Sequence, residues 1–298
     1  MNRLAHWLLA FGLFYGSSLQ AAEAERCGLV TLADVGWTDI TMTTAVARLV
    51  LADLGYRTQV KRLSLPETYQ GLADGSIDVF LGSWMPAQTQ LIESHLKSGR
   101  IDKLQTNLPT VRYTLAVLEP AYKAGLQDFA DIHRFRDELR GQIFGIEPGN
   151  EGNDMIKTMI RENVFGLGGF TLVESSEKGM LNHVERAQQM GRPAVFLGWE
   201  PHPMNDRLRM FYLSGGDQYF GPDYGAARVD TISRGGFAGE CPNVARLFTN
   251  MIFTTAAENQ LMSGVLEGNT NRRRVAKNWL DKNPDMLGAW LQGVSPRP

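Results

Sequence analysis

Strand-forming segments alternate with segments of helical periodicity in the first part of the chain. The predicted strands are residues 28–34 (GLVTLAD), 56–63 (YRTQVKRL) and 77–84 (IDVFLGSW). A helix is predicted over residues 38–54, because apolar side chains including Met42, Val46 and Leu49 recur on one helical face. A shorter helix over residues 65–75 ends at Gly75. The order is strand, helix, strand, helix, strand, and we refer to residues 28–84 as the first repeat.

The same order of elements recurs later, over residues 141–199, which we call the second repeat. Its predicted strands are residues 141–147 (GQIFGIE), 169–175 (GFTLVES) and 193–199 (PAVFLGW). Its predicted helices are residues 154–165, with Met155, Ile156, Met159 and Ile160 on one face, and residues 179–191. The repeats end almost alike, in VFLGSWMP at residues 79–86 and VFLGWEPHP at residues 195–203. Element order, spacing and the terminal tryptophan together indicate two similar lobes.

The segments outside the repeats predict how two lobes are joined. Residues 110–120 (TVRYTLAVLEP) alternate in a strand pattern and carry the chain from lobe I into lobe II. Residues 206–216 and 226–234 are interpreted as the return crossing, and the chain from Asn243 onward as helices. Alternating strands and helices are typical of an α/β fold with mainly parallel sheets, in which ligands bind beyond the carboxyl ends of the strands. We therefore expect a hinged α/β protein with its ligand cleft between two lobes.

Composition narrows the class of protein only at the N-terminus. The chain has 298 residues, a formal net charge of −2 and 43% hydrophobic residues, as is ordinary for a globular protein, without the basic excess of nucleic-acid binders. Residues 1–22 differ, because Arg3 and His6 precede a short apolar run that ends in small and polar residues. This pattern predicts a cleavable signal peptide rather than a membrane anchor, since a spanning helix needs about 20 apolar residues. We expect the mature protein outside the cytoplasm.

Export gives the two cysteines a structural interpretation. Cys27 stands at the start of the predicted mature domain and Cys241 near the start of its C-terminal quarter. A lone pair of cysteines in an oxidising compartment favours a disulfide over two free thiols. Such a bond would tie the first strand to the C-terminal helical segment.

Four aromatic residues stand where a cleft between the lobes would form. Trp37 follows a predicted strand, Trp84 and Trp199 are the last residues of predicted strands, and Tyr113 lies in the crossing strand. Each of them alone is more often a core residue, but Trp84 and Trp199 occupy equivalent places in the two repeats. Aromatic faces attract a quaternary ammonium, which has no N–H to donate, by about 2 kcal/mol or more per desolvated ring. Ligands with N–H groups would lose their hydrogen bonds to water in such a cage, so the cage selects for methylated cations.

Polar residues beside these rings could hold the rest of a ligand. Asp39 could balance the cation and accept a hydrogen bond from a ligand hydroxyl, although it could equally be a helix N-cap. Asn150, in the corresponding loop of the second repeat, could bind the same hydroxyl or serve only as a turn residue. His202, between two prolines, could pair with a ligand carboxylate or be a rigid loop residue.

Several segments together resemble a known family. DVGWTDI, LGSWMP, RYTLAV, PGNEGN and GWEPHPMN are similar to the periplasmic choline and glycine-betaine substrate-binding proteins of ABC transporters, the choline-binding branch above all. The resemblance covers essentially the whole mature chain. It implies a two-lobed periplasmic-binding-protein fold, type II-like, that closes on its ligand. It also implies a cage of Trp37, Trp84, Tyr113 and Trp199, with Asp39 and Asn150 on the choline hydroxyl.

The resemblance makes the expectations specific. We expect residues 25–110 and 207–298 to form lobe I and residues 111–206 to form lobe II. The protein is expected to be a periplasmic monomer without a cofactor or metal, which delivers its ligand to an ABC transporter permease in the inner membrane.

The sequence also allows ligands other than choline and other classes of protein. Glycine betaine or carnitine could fit the same cage if His202 or Arg112 neutralised their carboxylate. A binder of unmethylated solutes would need fewer rings, and an adhesion protein none in a cleft. A two-domain α/β enzyme is disfavoured, because the sequence has no H-E-x-x-H, G-x-S-x-G, Walker or strand-linked G-x-G-x-x-G motif.

Overall fold

The computed structural model describes residues 25–266 and 271–297. The predicted signal peptide, residues 1–22, lies outside the described residues. Within the described ranges, no helix is long and apolar enough to cross a membrane. A 3₁₀ turn at Glu25–Gly28 leads into the first repeat, which has the five predicted elements. They are β1 (Leu29–Asp34), α1 (Thr38–Asp53), β2 (Arg57–Arg62), α2 (Leu65–Asp74) and β3 (Val79–Met85).

Helix α2 shows how local sequence sets the limits of an element. Ser64 and Glu67 form a reciprocal capping box at its start, in which each side chain bonds the backbone N–H of the other residue. Pro66 stands in its first turn, and Gly75 ends it with a φ of 79°, a conformation that glycine adopts without steric cost. These signals are all in the sequence, and the predicted helix matches the observed one.

The second repeat has the predicted order, with shorter outer strands. Helix α3 (Thr89–Lys97), β4 (Ile101–Leu118) and α4 (Glu119–Lys123) precede it, with a 3₁₀ segment at Phe129–Phe135. Its elements are β5 (Gln142–Phe144), α5 (Glu151–Arg161), β6 (Thr171–Val173), α6 (Glu177–Gln189) and β7 (Val195–Glu200), with a 3₁₀ segment at Val164–Gly169. Helix α5 begins three residues and α6 two residues earlier than predicted, because Asn150 and Ser176 cap them.

All strands of the described residues belong to one sheet, in the order β2-β1-β3-β9-β4-β7-β5-β6, with β8 paired to β4. Within each repeat the strands are parallel, and the first strand lies between the second and third. The order is therefore the same in both lobes, which confirms the mainly parallel α/β lobes. The strands of the two repeats are joined into this one sheet by antiparallel pairing through β9 and β4, which the sequence did not indicate.

Two long strands make the junction between the lobes. Strand β4 pairs with β9 along its first part and with β7 from Arg112 to Val117. After β7 come α7 (Met204–Arg207), β8 (Met210–Tyr212), α8 (Asp217–Phe220), α9 (Pro222–Gly225) and β9 (Ala226–Arg234). Strand β8 pairs with the end of β4, at Ala116–Leu118, on the edge opposite β7. The return crossing to lobe I is therefore made by β9 alone, and not by residues 206–216 as well. The predicted end of lobe II at residue 206 stays a prediction.

The C-terminal helices return to lobe I and pack on it. They are α10 (Phe237–Glu240), α11 (Pro242–Asn250), α12 (Thr255–Leu266), α13 (Arg272–Lys282) and α14 (Pro284–Trp290). Helices α12 and α13 cover α1, whose apolar residues are buried almost all round as a result. Cys27 and Cys241 form the expected disulfide, with their Cα atoms 5.6 Å apart, between the start of β1 and the start of α11.

Candidate functional site

The structure brings the six residues with predicted ligand contacts to one cavity. The cavity lies between the two lobes. The four rings have at most 6% of their surface exposed, so the cleft is closed around this space. Its lining residues are Trp37, Asp39, Trp84, Tyr113, Ile146, Asn150, Glu151 and Trp199.

The two similar strands deliver their tryptophans to equivalent places despite a difference in length. Trp199 directly follows VFLG in β7, whereas Ser83 stands between VFLG and Trp84 in β3. One extra residue would turn Trp84 to the opposite face of its strand. The pairing of β3 with β9 absorbs it, with a bulge between Phe80 and Ser83. Trp84 is thereby restored to the cavity face. In both motifs the peptide bond before the next proline is cis, at Met85–Pro86 and Glu200–Pro201.

Tyr113 joins the walls of the cavity from the crossing strand β4. It lies directly opposite Trp199 in the β4–β7 pairing, and its ring centroid is 6.1 Å from that of Trp84. Its hydroxyl donates a hydrogen bond to Oδ1 of Asn150 at 2.8 Å. Burial raises the pKa of Tyr113 well above its usual value, and the charges of Glu151 and Glu147 raise it further. The phenol is therefore a neutral donor at any physiological pH.

Trp37 ends the loop after β1 and Asp39 lies in the first turn of α1, and the Trp37 indole is fixed by the other lobe. Trp37 is the N-cap residue of α1. Its Nε1–H donates to Oε1 of Glu147 at 2.6 Å, from the loop after β5. The pKa of Glu147 is raised, mainly by burial, while the hydrogen bond from Trp37 acts against the rise. This bond holds the ring against the cavity from the far side of the cleft.

Asp39 is a buried carboxyl group within the cavity and is not the N-cap of α1. It is 2% exposed, and its Oδ1 makes no hydrogen bond within the part of the chain that the structure describes. Its pKa is raised to about 7, mainly by burial and also by the negative charge of Glu177, while contacts including one with Trp84 favour the charged form. Glu258, buried in α12, has its own pKa raised by burial and by the charge of Asp39. A buried acceptor without a donor is costly, so this site is suited to a ligand that brings a positive charge or a donor.

Asn150 caps helix α5 and also lines the cavity, so it has both a structural role and a place beside the ligand. Its Oδ1 accepts the N–H groups of Gly152 and Asn153, the N-cap geometry of α5, in addition to the Tyr113 hydroxyl. These three donors fix the orientation of the amide, so Nδ2 is the group left for other partners. One Nδ2 hydrogen points to Oε2 of Glu151 at 3.3 Å. Because Asn150 lines the cavity, its second Nδ2 hydrogen can serve an acceptor there.

Glu151 and Ile146 line the cavity but were not predicted. Burial raises the pKa of Glu151 to about 7, with a hydrogen bond from Gln88 among the effects that act against the rise. Gln88 lies in lobe I, and its Nε2 is 3.4 Å from Oε1 of Glu151. The signal for Glu151 was its place beside Asn150 in PGNEGN, and for Ile146 its place beyond the end of β5. Among the described residues, those that line the cavity include no Lys, Arg or His.

His202 and Arg112, considered as partners for a ligand carboxylate, lie outside the cavity lining. His202 packs its ring against Trp199, with centroids 5.1 Å apart, and contacts Glu177 and the N–H of Met204 through its two nitrogens. Arg112 lies over the rings of Tyr212 and Tyr224, at 5.0 and 5.9 Å from their centroids. Both side chains are thus engaged by the protein itself.

A two-lobed fold that closes on a cavity of aromatic rings defines a solute-binding protein. A model of the OpuAC family, the substrate-binding domain of ABC-type glycine betaine transport systems, matches residues 28–282. The chain belongs to this family. It is therefore a substrate-binding component of ABC transport with a small-molecule ligand, in a family described for glycine betaine, rather than an enzyme.

Three relatives place the chain within this family. An ABC-transporter choline-binding protein in complex with choline is 48% identical, with a TM-score of 0.90 over 92% of this chain and 95% of that chain. The unliganded semi-closed form of such a protein is also 48% identical, with a TM-score of 0.85 and the same coverage. The glycine betaine/carnitine transport binding protein GbuC of Listeria monocytogenes is 25% identical over 53% of this chain and 51% of its own length.

Proposed function

We propose that this protein binds choline in the cavity between its lobes and delivers it to an ABC transporter permease. The observation that carries the proposal is the combination of four buried aromatic rings with a buried carboxyl whose Oδ1 has no partner among the described residues. The rings provide cation–π attraction and apolar contact for the trimethylammonium group. Asp39 provides the compensating negative charge, which a cation would stabilise in its ionised form.

The hydroxyl of choline fits the two polar side chains of the cavity. Its hydrogen can be donated to Oδ1 of Asp39, and its oxygen can accept the remaining Nδ2 hydrogen of Asn150. Tyr113 is assigned the cation, because its hydroxyl is already committed to Asn150. The ligand therefore satisfies the buried acceptor and donor together, a condition for tight binding in a dry site.

Choline is favoured over glycine betaine by the charges around the cavity. A carboxylate has no hydrogen to donate to Asp39 and would be repelled by it. The described lining residues include Asp39 and Glu151 but no cationic side chain that could pair with a carboxylate. The 48% identity to a choline-binding protein in complex with choline supports the same choice. Glycine betaine remains the second candidate, because the family description names it.

The route of the protein follows from the same proposal. We infer that residues 1–22 act as a signal peptide and that the receptor works as a monomer in the periplasm. Ligand binding would favour the closed conformation, and the permease would recognise that conformation.

Calorimetric titration with choline and three analogues tests the ligand assignment. Tetramethylammonium keeps the cation and lacks the hydroxyl, 3,3-dimethylbutan-1-ol keeps the shape without the charge, and glycine betaine replaces the hydroxyl by a carboxylate. We expect choline to bind most tightly, tetramethylammonium next, glycine betaine more weakly than choline, and the alcohol least. Choline binding no tighter than its uncharged isostere would refute the cage, and tighter binding of glycine betaine would refute the choline assignment.

A further inference from the structure

A carboxylate of lobe II binds the part of lobe I that carries two of the proposed ligand residues. Glu177 is the first residue of α6 and is 6% exposed. Its Oε2 accepts the backbone N–H of Thr38 at 2.8 Å, and its Oε1 accepts the hydroxyl of the same residue. Thr38 stands between Trp37 and Asp39. Glu177 itself is not among the residues that line the cavity.

Helix α1 takes this carboxylate in place of an N-terminal cap of its own. Its N-cap residue is Trp37, whose side chain makes no capping hydrogen bond. The first N–H groups of a helix have no partner within the helix, and the helix dipole favours a negative charge beside them. Glu177 supplies both the acceptor and the charge to Thr38. A local requirement of lobe I is thus met by a residue of lobe II.

The same carboxylate is connected to the opposite wall of the cavity through His202. Nδ1 of His202 accepts the N–H of Met204 at 3.0 Å, so the ring hydrogen is on Nε2, which faces Oε1 of Glu177 at 3.3 Å. The His202 ring also packs edge-on against Trp199. The Glu177 carboxylate therefore connects the Trp37–Asp39 segment of lobe I to His202, the residue that packs against Trp199 in lobe II.

We propose that Glu177 is a positioning residue that latches the closed cleft and thereby limits the escape of the ligand. Its bonds to Thr38 exist only while the lobes meet, whereas its contact with His202 lies within lobe II. A contact made only in the closed state adds to affinity by raising the population of that state. The proposal rests on choline as the ligand. The latch itself does not line the cavity, because Glu177 contacts the backbone and hydroxyl of Thr38.

This location predicts a kinetic signature. Choline enters the open cleft before the latch forms, so loss of the latch should leave the association rate nearly unchanged. Dissociation requires the lobes to part, so it should become faster. A hydrogen bond to a charged group contributes enough for about a tenfold or larger change. A residue needed only for folding would instead lower the stability of the ligand-free protein.

Stopped-flow tryptophan fluorescence with choline on Glu177→Gln, Thr38→Val and the double variant tests the latch. Thr38→Val removes the hydroxyl without removing a charge, and so separates the latch from a long-range effect of the Glu177 charge on the cation. Glu185→Gln, further along α6, is the matched control for loss of a carboxylate on the same helix. Melting temperatures are measured for every variant with and without choline.

We expect Glu177→Gln to raise the dissociation rate of choline about tenfold or more and Thr38→Val to raise it severalfold. The double variant should raise the dissociation rate by less than the product of the two single effects, because both changes disrupt the same Glu177–Thr38 contact. Association rates and ligand-free melting temperatures should stay close to wild type, as should all properties of Glu185→Gln. Unchanged dissociation, independent effects, or a loss confined to ligand-free stability would overturn the latch. Failure of the wild-type protein to bind choline would instead refute the proposed function.

Discussion

The loops that follow the first strands of the two repeats reach the cavity in different ways. The loop after β5 is held by its own lobe, because Asn150 caps α5 and Asn153 bonds both the N–H and the carbonyl of Ile146. The loop after β1 is anchored at its base by Asp34, which accepts the N–H of Gly36. Its next two residues, however, take their partners from lobe II.

The difference indicates an order of assembly. Trp37 and Thr38 are bound by Glu147 and Glu177 across the cleft, so their positions are completed when the lobes meet. The lobe II side, with Asn150 already bonded, is formed before a ligand arrives. Changes to Asn150 and Asn153, which hold the loop after β5 within lobe II, should therefore affect the stability of the ligand-free protein, whereas changes to contacts across the cleft should affect mainly the bound state.

The largest expected effect comes from the rings themselves. Trp199→Ala should weaken choline binding by about 2–3 kcal/mol, because one desolvated cation–π face is lost. Trp37→Ala should weaken it more, by about 3–4 kcal/mol, since the bond to Glu147 is lost as well. Trp37→Phe, which keeps a ring but no N–H, should fall between wild type and Trp37→Ala. Calorimetry measures all three, and equal losses for Trp37→Ala and Trp199→Ala would contradict the asymmetry.

The next effect concerns the charge of Asp39 and is pH-dependent. Burial raises the pKa of Asp39 to about 7, and a cation beside it lowers that pKa, so binding releases a proton. Choline affinity should therefore rise with pH until about 7 and level off above. Asp39→Asn should lower the affinity by about 1.5–3 kcal/mol at pH 8 and flatten the dependence.

Glu151, Glu177 and Glu258 carry buried carboxyls near this site, so Glu151→Gln and Glu258→Gln serve as controls for their share of the slope. If Asp39→Asn weakens the binding of glycine betaine more than that of choline, the assignment of Asp39 to the choline hydroxyl is wrong.

The fold could be predicted to the level of the repeats because periodicity and caps are local signals. The order of strands and helices, the disulfide and the convergence of Trp37, Trp84, Tyr113 and Trp199 all rest on such signals or on the resemblance to the family. The pairing of β4 with β9, which merges both sheets, is a contact between distant segments that no local pattern records.

The polar partners behind the rings were missed for the same reason. Glu147 and Glu177 are ordinary charged residues in the sequence, and only the closed arrangement makes them acceptors for lobe I. His202 stands close to Trp199 in the sequence, but its partners Glu177 and Met204 hold it away from a ligand. A sequence shows which side chains can bind a ligand more readily than which ones hold those side chains in place.

A smaller effect should separate the two loops by stability. Asn150→Ala removes the cap of α5 and should lower the free energy of unfolding of the ligand-free protein by about 1 kcal/mol. Asp39→Asn should not lower it, because it removes a buried carboxyl whose Oδ1 makes no hydrogen bond among the described residues. Asn150→Asp keeps the capping oxygen but not the amide donor, so stability should be retained while choline affinity falls. Chemical denaturation without ligand measures the difference, and a larger loss for Asp39→Asn would reverse the proposed order of assembly.

The smallest expected effect is that of the Tyr113 hydroxyl. Tyr113→Phe keeps the ring for the cation and removes one hydrogen bond to Asn150, so choline affinity should fall by about 0.5–1.5 kcal/mol. The loss stays small because Asn150 retains the N–H groups of Gly152 and Asn153, which keep its amide in place. Tetramethylammonium, which cannot use the amide, should bind the variant almost as well as wild type. Tyr69→Phe is the control, since the Tyr69 hydroxyl bonds Ser83 and Gln88 outside the cavity lining. An equal loss for tetramethylammonium and choline in Tyr113→Phe would mean that the hydroxyl holds the ring rather than the amide.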